Sequence, residues 1–476
     1  MKAFTEPLLS LAGFEEMTKT AEKSSGLISV TGCIDAQKSQ MIYAFGGHRK
    51  NKLIVTFGEQ KAKELYDEYS FFDKEVVYYP SKDVLFYQSD IRGNLLTAER
   101  IRALKAIREQ ERVTLVTTFD ALMNTMAPIE KMWENVLTLE QGQLLDLKEI
   151  QAALIRMGYE KEYQVQTMGQ FSVRGGILDV FPLTEENPIR IELWGDEIDT
   201  IRYFDCESQK SIENTDRVSI YPAAELVLSD EEKAGGIEKL KAEAKRVSDK
   251  LRKQMKTEEA HRVTVMADEL TEEWGELSMY AGMDAFLSYF FDERVGLLDY
   301  FNPSDSLIFF DELTRCAEQG KLTETEFSES MKQRLAMGYI LPGQMNGLFT
   351  EKEIVAKLEK YSCIALGALD NKANGLHQLG SYGIHCQSVS PYNNSFELLI
   401  KDLKRYKKNG YRVILLSGSR TRAKRLSEDI TDQGITCFYT ENYDHELFEG
   451  QIMVCYGKVR RGFEYPILKF AVITES

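Results

Sequence analysis

The chain has 476 residues, 43% hydrophobic and 28% charged, which is length for three or four domains and an ordinary globular composition. That excludes wholesale disorder and collagen-like or mucin-like character, and no apolar run reaches the ~18 residues of a membrane helix. The formal net charge of −16 opposes phosphate binding by the chain as a whole, because affinity for nucleic acid comes largely from Lys and Arg displacing counterions.

The first residues, MKAFTEPLLSLAGFEEM, carry early acids and no apolar core of signal-peptide length, so a cytoplasmic location is expected. From there to residue 126, strand signals (GLISVTG, NKLIVTF, EVVYYP, RVTLVTT) alternate with helical spacing (AQKSQMIYAF, EQKAKELYDEY, LLTAERIRALKAIREQ). Such alternation implies a mostly parallel sheet covered by helices. Residues 127–222 read as a small antiparallel-sheet module: one amphipathic helix, LKEIQAALIRMG, precedes QFSVRGGILDVFP and NPIRIELWGDEIDTIRYFD. There Ile189, Ile191 and Leu193 alternate with Arg190, Glu192 and Trp194, one face buried and one exposed, and GDE reads as a hairpin turn. Residues 223–345 open with a Glu/Lys/Ala/Leu-rich solvated helix over 229–257 and return to a buried strand, LIFFDEL, that ends in acids. A turn-rich stretch, GYILPGQMNGLFT, marks a boundary, and 352–476 reads as a further α/β domain. The chain stops at KFAVITES, just past a strand signal, which fits a natural end or a cut at a domain edge.

Dispersed cysteines (seven, none in C-x-x-C) fit a reducing compartment, and five unpaired histidines make no case for a metal. The sharpest local motif is Gly32-Cys33-Ile34-Asp35-Ala36-Gln37-Lys38-Ser39, after a strand and entering a helix. It fits the phosphate loop G-x-x-x-x-G-K-[ST] except that Gln37 replaces the second glycine, where backbone N–H groups must wrap the phosphates with no side chain in the way. We therefore expect no nucleotide binding at the degenerate loop (Gly32, Gln37, Lys38, Ser39). Asp311 and Glu312, at a strand end of the kind that holds Mg²⁺ in helicase-type ATPases, are read as structural remnants that cap the next helix or face solvent. No Ser/His/Asp or Cys/His grouping is visible, so no catalytic residue is assigned.

The fragments VTG, GQFSVRGGILDVFP, IRIELWGDEIDTIRYFD, LLDYF…LIFFDE and GYILPGQMN occur in the order found in the bacterial excision-repair protein UvrB. Over residues 26–350 the chain resembles, closer still, the N-terminal region of the transcription-repair coupling factor family, Mfd. The resemblance implies a degenerate helicase-like parallel α/β domain, split by a UvrA-binding-like module and followed by another α/β domain. It implies no enzyme activity and no cofactor in this chain, whereas the parent would be an ATP-dependent DNA translocase. The expected partner is UvrA, for nucleotide excision repair at stalled RNA polymerase. Polymerase and DNA would be reached only through parent regions beyond Ser476, and the UvrA surface would be open to intramolecular masking by the parent's C-terminal region. UvrB's DNA-clamping hairpin has no room here, because VVYYPSKDVLFYQSDIRGNLLTAERIRALKAI passes directly from strand to helix. A UvrB-like ATP-dependent helicase and a scaffold without partners are the alternatives.

By the same resemblance Arg174 and Lys161 match basic UvrA contacts, and Ser172 stands where a third would be. Reading the residues themselves, Arg174, Arg190 and Trp194 join Arg and aromatic types on one β face, the composition of binding hot spots. Phe171 and Phe181 read equally as contacts or core, and Arg202 as a contact or as an ion-pair partner of Asp199 or Glu197. The basic stretch 401–425 reads as two solvated helix faces flanking a buried strand rather than a nucleic-acid patch, and Ser417-Gly418-Ser419 as a helix cap.

Overall fold

A computed structural model describes residues 1–45, 49–83, 94–276, 282–369, 375–393 and 395–475. Its centre is a seven-stranded, all-parallel sheet, in the order Gln378–Gly383, Gly26–Thr31, Ser362–Leu366, Ser306–Asp311, Asn51–Thr56, Val113–Thr118, Val77–Tyr79. The central strands are buried on both sides, which is why they read as continuous apolar runs. Successive residues face opposite cores. Leu53, Val55, Ile308 and Phe310 meet helices Leu95–Glu109 and Leu313–Ala336, while Ile54, Leu307 and Phe309 meet the helices Phe14–Lys23, Asp35–Ala44 and Glu59–Tyr69.

Strands from before and after the module share this sheet, so the module is an insertion. It is a six-stranded sheet running Ser211–Thr215, Glu197–Phe204, Ile189–Trp194, Ile177–Val180, Gln170–Arg174, Glu160–Lys161, antiparallel except for its last pair. Leu137–Glu140 pairs with Arg217–Ile220 beside it. The helix Leu147–Arg156, capped by the Asp146 carboxylate, covers its inner face of Leu178, Ile189 and Ile191. The Trp194–Glu197 turn forms as read, with Gly195 at φ +66°.

Where the chain leaves the module, Arg100 is fully buried and donates to Glu225 at 2.7 and 3.0 Å and to the Pro80 carbonyl at 2.6 Å. Lys82 bridges Glu225 at 2.9 Å to Asp284 at 2.7 Å. This network ties the two halves of the parallel domain to the exit of the insertion. The helix Asp230–Lys253, with a Ser229–Glu232 capping box, does not stand alone in solvent: Leu240, Ala244 and Leu251 pack on Ala260, Val263 and Ala267 of the following helix, Thr257–Glu276.

The last boundary differs from the one read in the sequence. Ser362–Leu366 and Gln378–Gly383 flank Gly26–Thr31 in the first sheet, so the last unit begins after Gly383 rather than at 352. It holds a mixed sheet ordered Gln387–Ser388, Phe463–Tyr465, Phe470–Thr474, Arg412–Ser417, Ile452–Tyr456, Phe438–Tyr439. One face of that sheet (Ile414, Leu416, Met453, Val472) continues the core of the parallel domain. Residues 84–93, on which the absence of a clamping hairpin was read, lie outside the described residues.

Candidate functional site

The strand Gly26–Thr31 turns at Gly32, whose φ is +76° and where an added Cβ would lie 2.1 Å from the Ile384 carbonyl oxygen, so only glycine fits. The helix Asp35–Ala44 follows, as in a phosphate loop, but the ammonium it carries is spent. Lys38 Nζ is fully buried and lies 2.5 Å from Asp311, 3.0 Å from Glu312 and 3.0 Å from Asp35. An ammonium has three donors, and three carboxylates take them. Burial works against the charge, yet Asp311, Asp35 and Glu312 together push Lys38 above the ordinary lysine range. Burial also opposes the charge on Asp35, but Lys38 and Lys61, the latter 3.0 Å away, hold its carboxyl down to about 2. The Thr56 hydroxyl donates to Asp311 at 2.9 Å and the Ala368 N–H to Glu312 at 3.2 Å.

Asp311 and Glu312 therefore neither cap the next helix nor face solvent. They neutralise the lysine, and this closes the ends of four adjacent strands around one ion cluster. Gln37 is buried too: the Tyr465 hydroxyl, from the last unit, donates toward its Oε1 at 3.4 Å and toward Gln40 Oε1 at 3.1 Å. Its Nε2 and the Ser39 hydroxyl are buried without a hydrogen-bond partner. Lys38 and Ser39 were visible in the sequence; Tyr465, distant in sequence and carrying no motif, was not.

The second site is the outer face of the inserted sheet. Cross-strand register aligns Ser172, Asp179, Arg190 and Arg202 in one row, and Arg174, Ile177, Glu192 and Thr200 in the next. Asp179 is buried and organises the face: Arg190 reaches it through Nε at 2.7 Å and Nη2 at 2.8 Å, and Arg174 through Nη2 at 3.0 Å. Sequence reading passed over it, although an Asp inside the apolar strand ILDV was the available signal. The Arg190 guanidinium stacks 4.2 Å above Phe204. Arg202 pairs with Glu192, at 2.5 and 3.0 Å, rather than with Asp199 or Glu197. Trp194, 84% exposed, projects from the end of this face, and the Arg174 side chain is 37% exposed.

Three candidates fall elsewhere. Phe171 has no exposed surface and packs with Leu178 and Ile189, so as a contact it is corrected to a core residue. Phe181 is likewise buried. Lys161, in register with Phe171, points its ammonium at Gln151 of the helix on the inner face, 2.7 Å away, so the sheet separates it from Arg174. Ser172 is buried and donates to the Tyr163 carbonyl at 2.9 Å. In the last unit, Ser419 caps the helix Arg420–Asp432 by accepting from the Arg422 N–H at 3.2 Å. Among the described residues no His, Cys, Asp and Glu grouping could hold a metal ion, and no helix is long and apolar enough to cross a membrane.

Fold and sites together define a parallel α/β protein interrupted by an inserted antiparallel-sheet module. Residues 137–226 match the UvrB interaction domain family. Over 425 residues the chain is 28% identical to the transcription-repair-coupling factor of Bacillus subtilis, covering 89% of this chain and 36% of the relative. It is 26% identical over 458 residues to that of Staphylococcus haemolyticus, covering 94% and 38%, and 26% identical over 475 residues to that of Staphylococcus aureus strain MRSA252, covering 97% and 39%. The chain is homologous to the N-terminal, UvrB-like region of transcription-repair-coupling factors and spans well under half the length of these relatives.

Proposed function

We propose that this chain is a non-catalytic platform that binds UvrA through the outer face of its inserted sheet, bringing excision repair to a stalled transcription complex. The observation that carries the reading is the Arg174–Arg190–Arg202 face with Trp194 at its end, within the segment matching the UvrB interaction domain. Arginine and tryptophan dominate binding hot spots, where truncation costs about 2 kcal/mol or more. Arg174 is the most available of the three arginines: one bond goes to Asp179, and its remaining N–H groups can fork onto a partner carboxylate. The closed pocket around Lys38 supports the absence of ATP chemistry.

Calorimetry of the chain with purified UvrA, with and without nucleotide, tests this. Binding with a Kd independent of nucleotide added to this chain is the expected result. Arg174→Ala should weaken it at least tenfold without lowering the melting temperature, because Asp179 keeps both bonds to Arg190. A well-folded chain that does not bind UvrA would leave a scaffold, and tight ATP binding by the chain alone would point to the UvrB-like enzyme.

A further inference from the structure

The last unit carries an unassigned charged face. Its helices Phe396–Lys408 and Arg420–Asp432 pack on the same side of its sheet. Leu399, Leu403 and Tyr406 of the first and Ala423, Leu426 and Ile430 of the second meet Val413, Leu415, Val454 and Ile473. The other side of that sheet is sealed against the parallel domain through Ile414, Leu416, Met453 and Val472. Strand alternation thus leaves both helices turned the same way, with their polar sides outward. The two helices hold nine Lys and Arg against five Asp and Glu, in a chain whose net charge is −16.

Exposed Lys401, Lys404 and Lys408 follow the i, i+3, i+7 spacing of one helix stripe, roughly 10 Å long, and exposed Lys424 and Arg425 stand on the neighbouring helix. Arg405, Arg420 and Arg422 have carboxylate partners, at 3.3, 3.6 and 2.9 Å. No ion pair or hydrogen bond engages the side chains of Lys401, Lys404, Lys408, Lys424 or Arg425 among the described residues.

We propose that this helix pair binds the phosphate backbone of duplex DNA, without reading sequence. Unpaired ammoniums on flexible stems suit a regular row of phosphates. Tyr406, the aromatic residue within the basic run of the first helix, is buried, so the run has no stacking platform of the kind that holds single strands. The excess of positive charge on this face, in an acidic chain, favours approach of a duplex from this side. Contact with three to five phosphates gives a slope of log K against log salt of about −2.7 to −4.5, with non-specific, micromolar-or-weaker affinity at physiological salt.

Fluorescence anisotropy of a labelled duplex of about 30 base pairs, titrated with the whole 476-residue chain between about 50 and 200 mM salt, tests the proposal. The triple variant K401E/K404E/K408E and the double variant K424E/R425E should each weaken binding at least tenfold and melt like the parent. K241E/K245E, on exposed positions of the helix Asp230–Lys253, should leave binding unchanged. No binding at the lowest salt, an equal loss in K241E/K245E, or no loss in either test variant overturns the proposal. So does polyglutamate of matched charge competing as well as unlabelled duplex, which would make this a face for acidic protein.

Discussion

Replacing Lys38 by methionine separates a structural clamp from a ligand-binding lysine. Methionine keeps most of the apolar stem and removes the ammonium, leaving Asp311, which is 2% exposed, with its Thr56 hydrogen bond and no counter-charge. Glu312, partly buried, loses its cation as well, whereas Asp35 is 70% exposed and keeps Lys61, so its share of the cost is small. Breaking a buried pair by removing one partner typically costs about 3–5 kcal/mol, and the Asp311 contact at 2.5 Å places Lys38→Met in that range. The double variant Lys38→Met/Asp311→Asn removes both charges and should recover most of the loss, giving a coupling energy of about 2–3 kcal/mol. Urea unfolding at pH 7.5, followed by circular dichroism and tryptophan fluorescence, measures the four midpoints. A variant as stable as the parent, in a chain whose parent binds ATP and whose variant does not, would refute the clamp and make Lys38 a phosphate ligand.

Gln37→Gly restores the missing loop glycine, yet it should show no binding in a fluorescent-nucleotide titration, because the three donors of Lys38 are held by Asp35, Asp311 and Glu312; micromolar affinity would count against this. Glu225→Ala should cost about 3–5 kcal/mol, measured by urea midpoint, because it strands fully buried Arg100. Burial opposes the Glu225 charge, but Arg100 and Lys82 hold its carboxyl down to about 2, below its unfolded value. Its stabilisation is therefore complete above about pH 4.5 and drains as pH falls toward 2, and Glu225→Gln should flatten that arm of the midpoint–pH curve. Burial pushes Glu68, beside Arg460 of the last unit, up to about 7, so the folded state loses stability as pH rises from about 4.5 through 7. Glu68→Gln should accordingly raise the urea midpoint at pH 8 and leave it unchanged at pH 4. Phe171→Ala should cost about 3–5 kcal/mol as a core deletion, whereas Trp194→Ala should leave the melting temperature unchanged and weaken UvrA binding.

The parallel sheet was legible because its strands are buried on both sides, so each appears as a short apolar run between turn residues. The inserted module was legible because its strands have one wet face, so Ile189, Ile191 and Leu193 alternate with Arg190, Glu192 and Trp194. What sequence does not carry is which sheet a strand joins. YSCIALGAL reads the same in either neighbour, and its place beside Gly26–Thr31 is set by pairing across more than three hundred residues of chain, which moved the last boundary past Gly383. The same non-locality hid the partners of the interaction face. Arg174 and Arg190 share Asp179, which meets them only through antiparallel register. Lys161 lies thirteen residues before Arg174, but a parallel edge pairing turns it to the opposite side.

At the loop, a steric and an electrostatic feature meet on neighbouring residues. Gln37 is buried, and the Tyr465 hydroxyl donates toward it. The larger energetic change is electrostatic. Lys38 lies 2.5 Å from Asp311 and 3.0 Å from Glu312, a direct ion pair between the helix and the strand end. Breaking this pair would leave a buried carboxylate uncompensated. Gln37 Nε2 and the Ser39 hydroxyl, beside this pair, are buried without a hydrogen-bond partner.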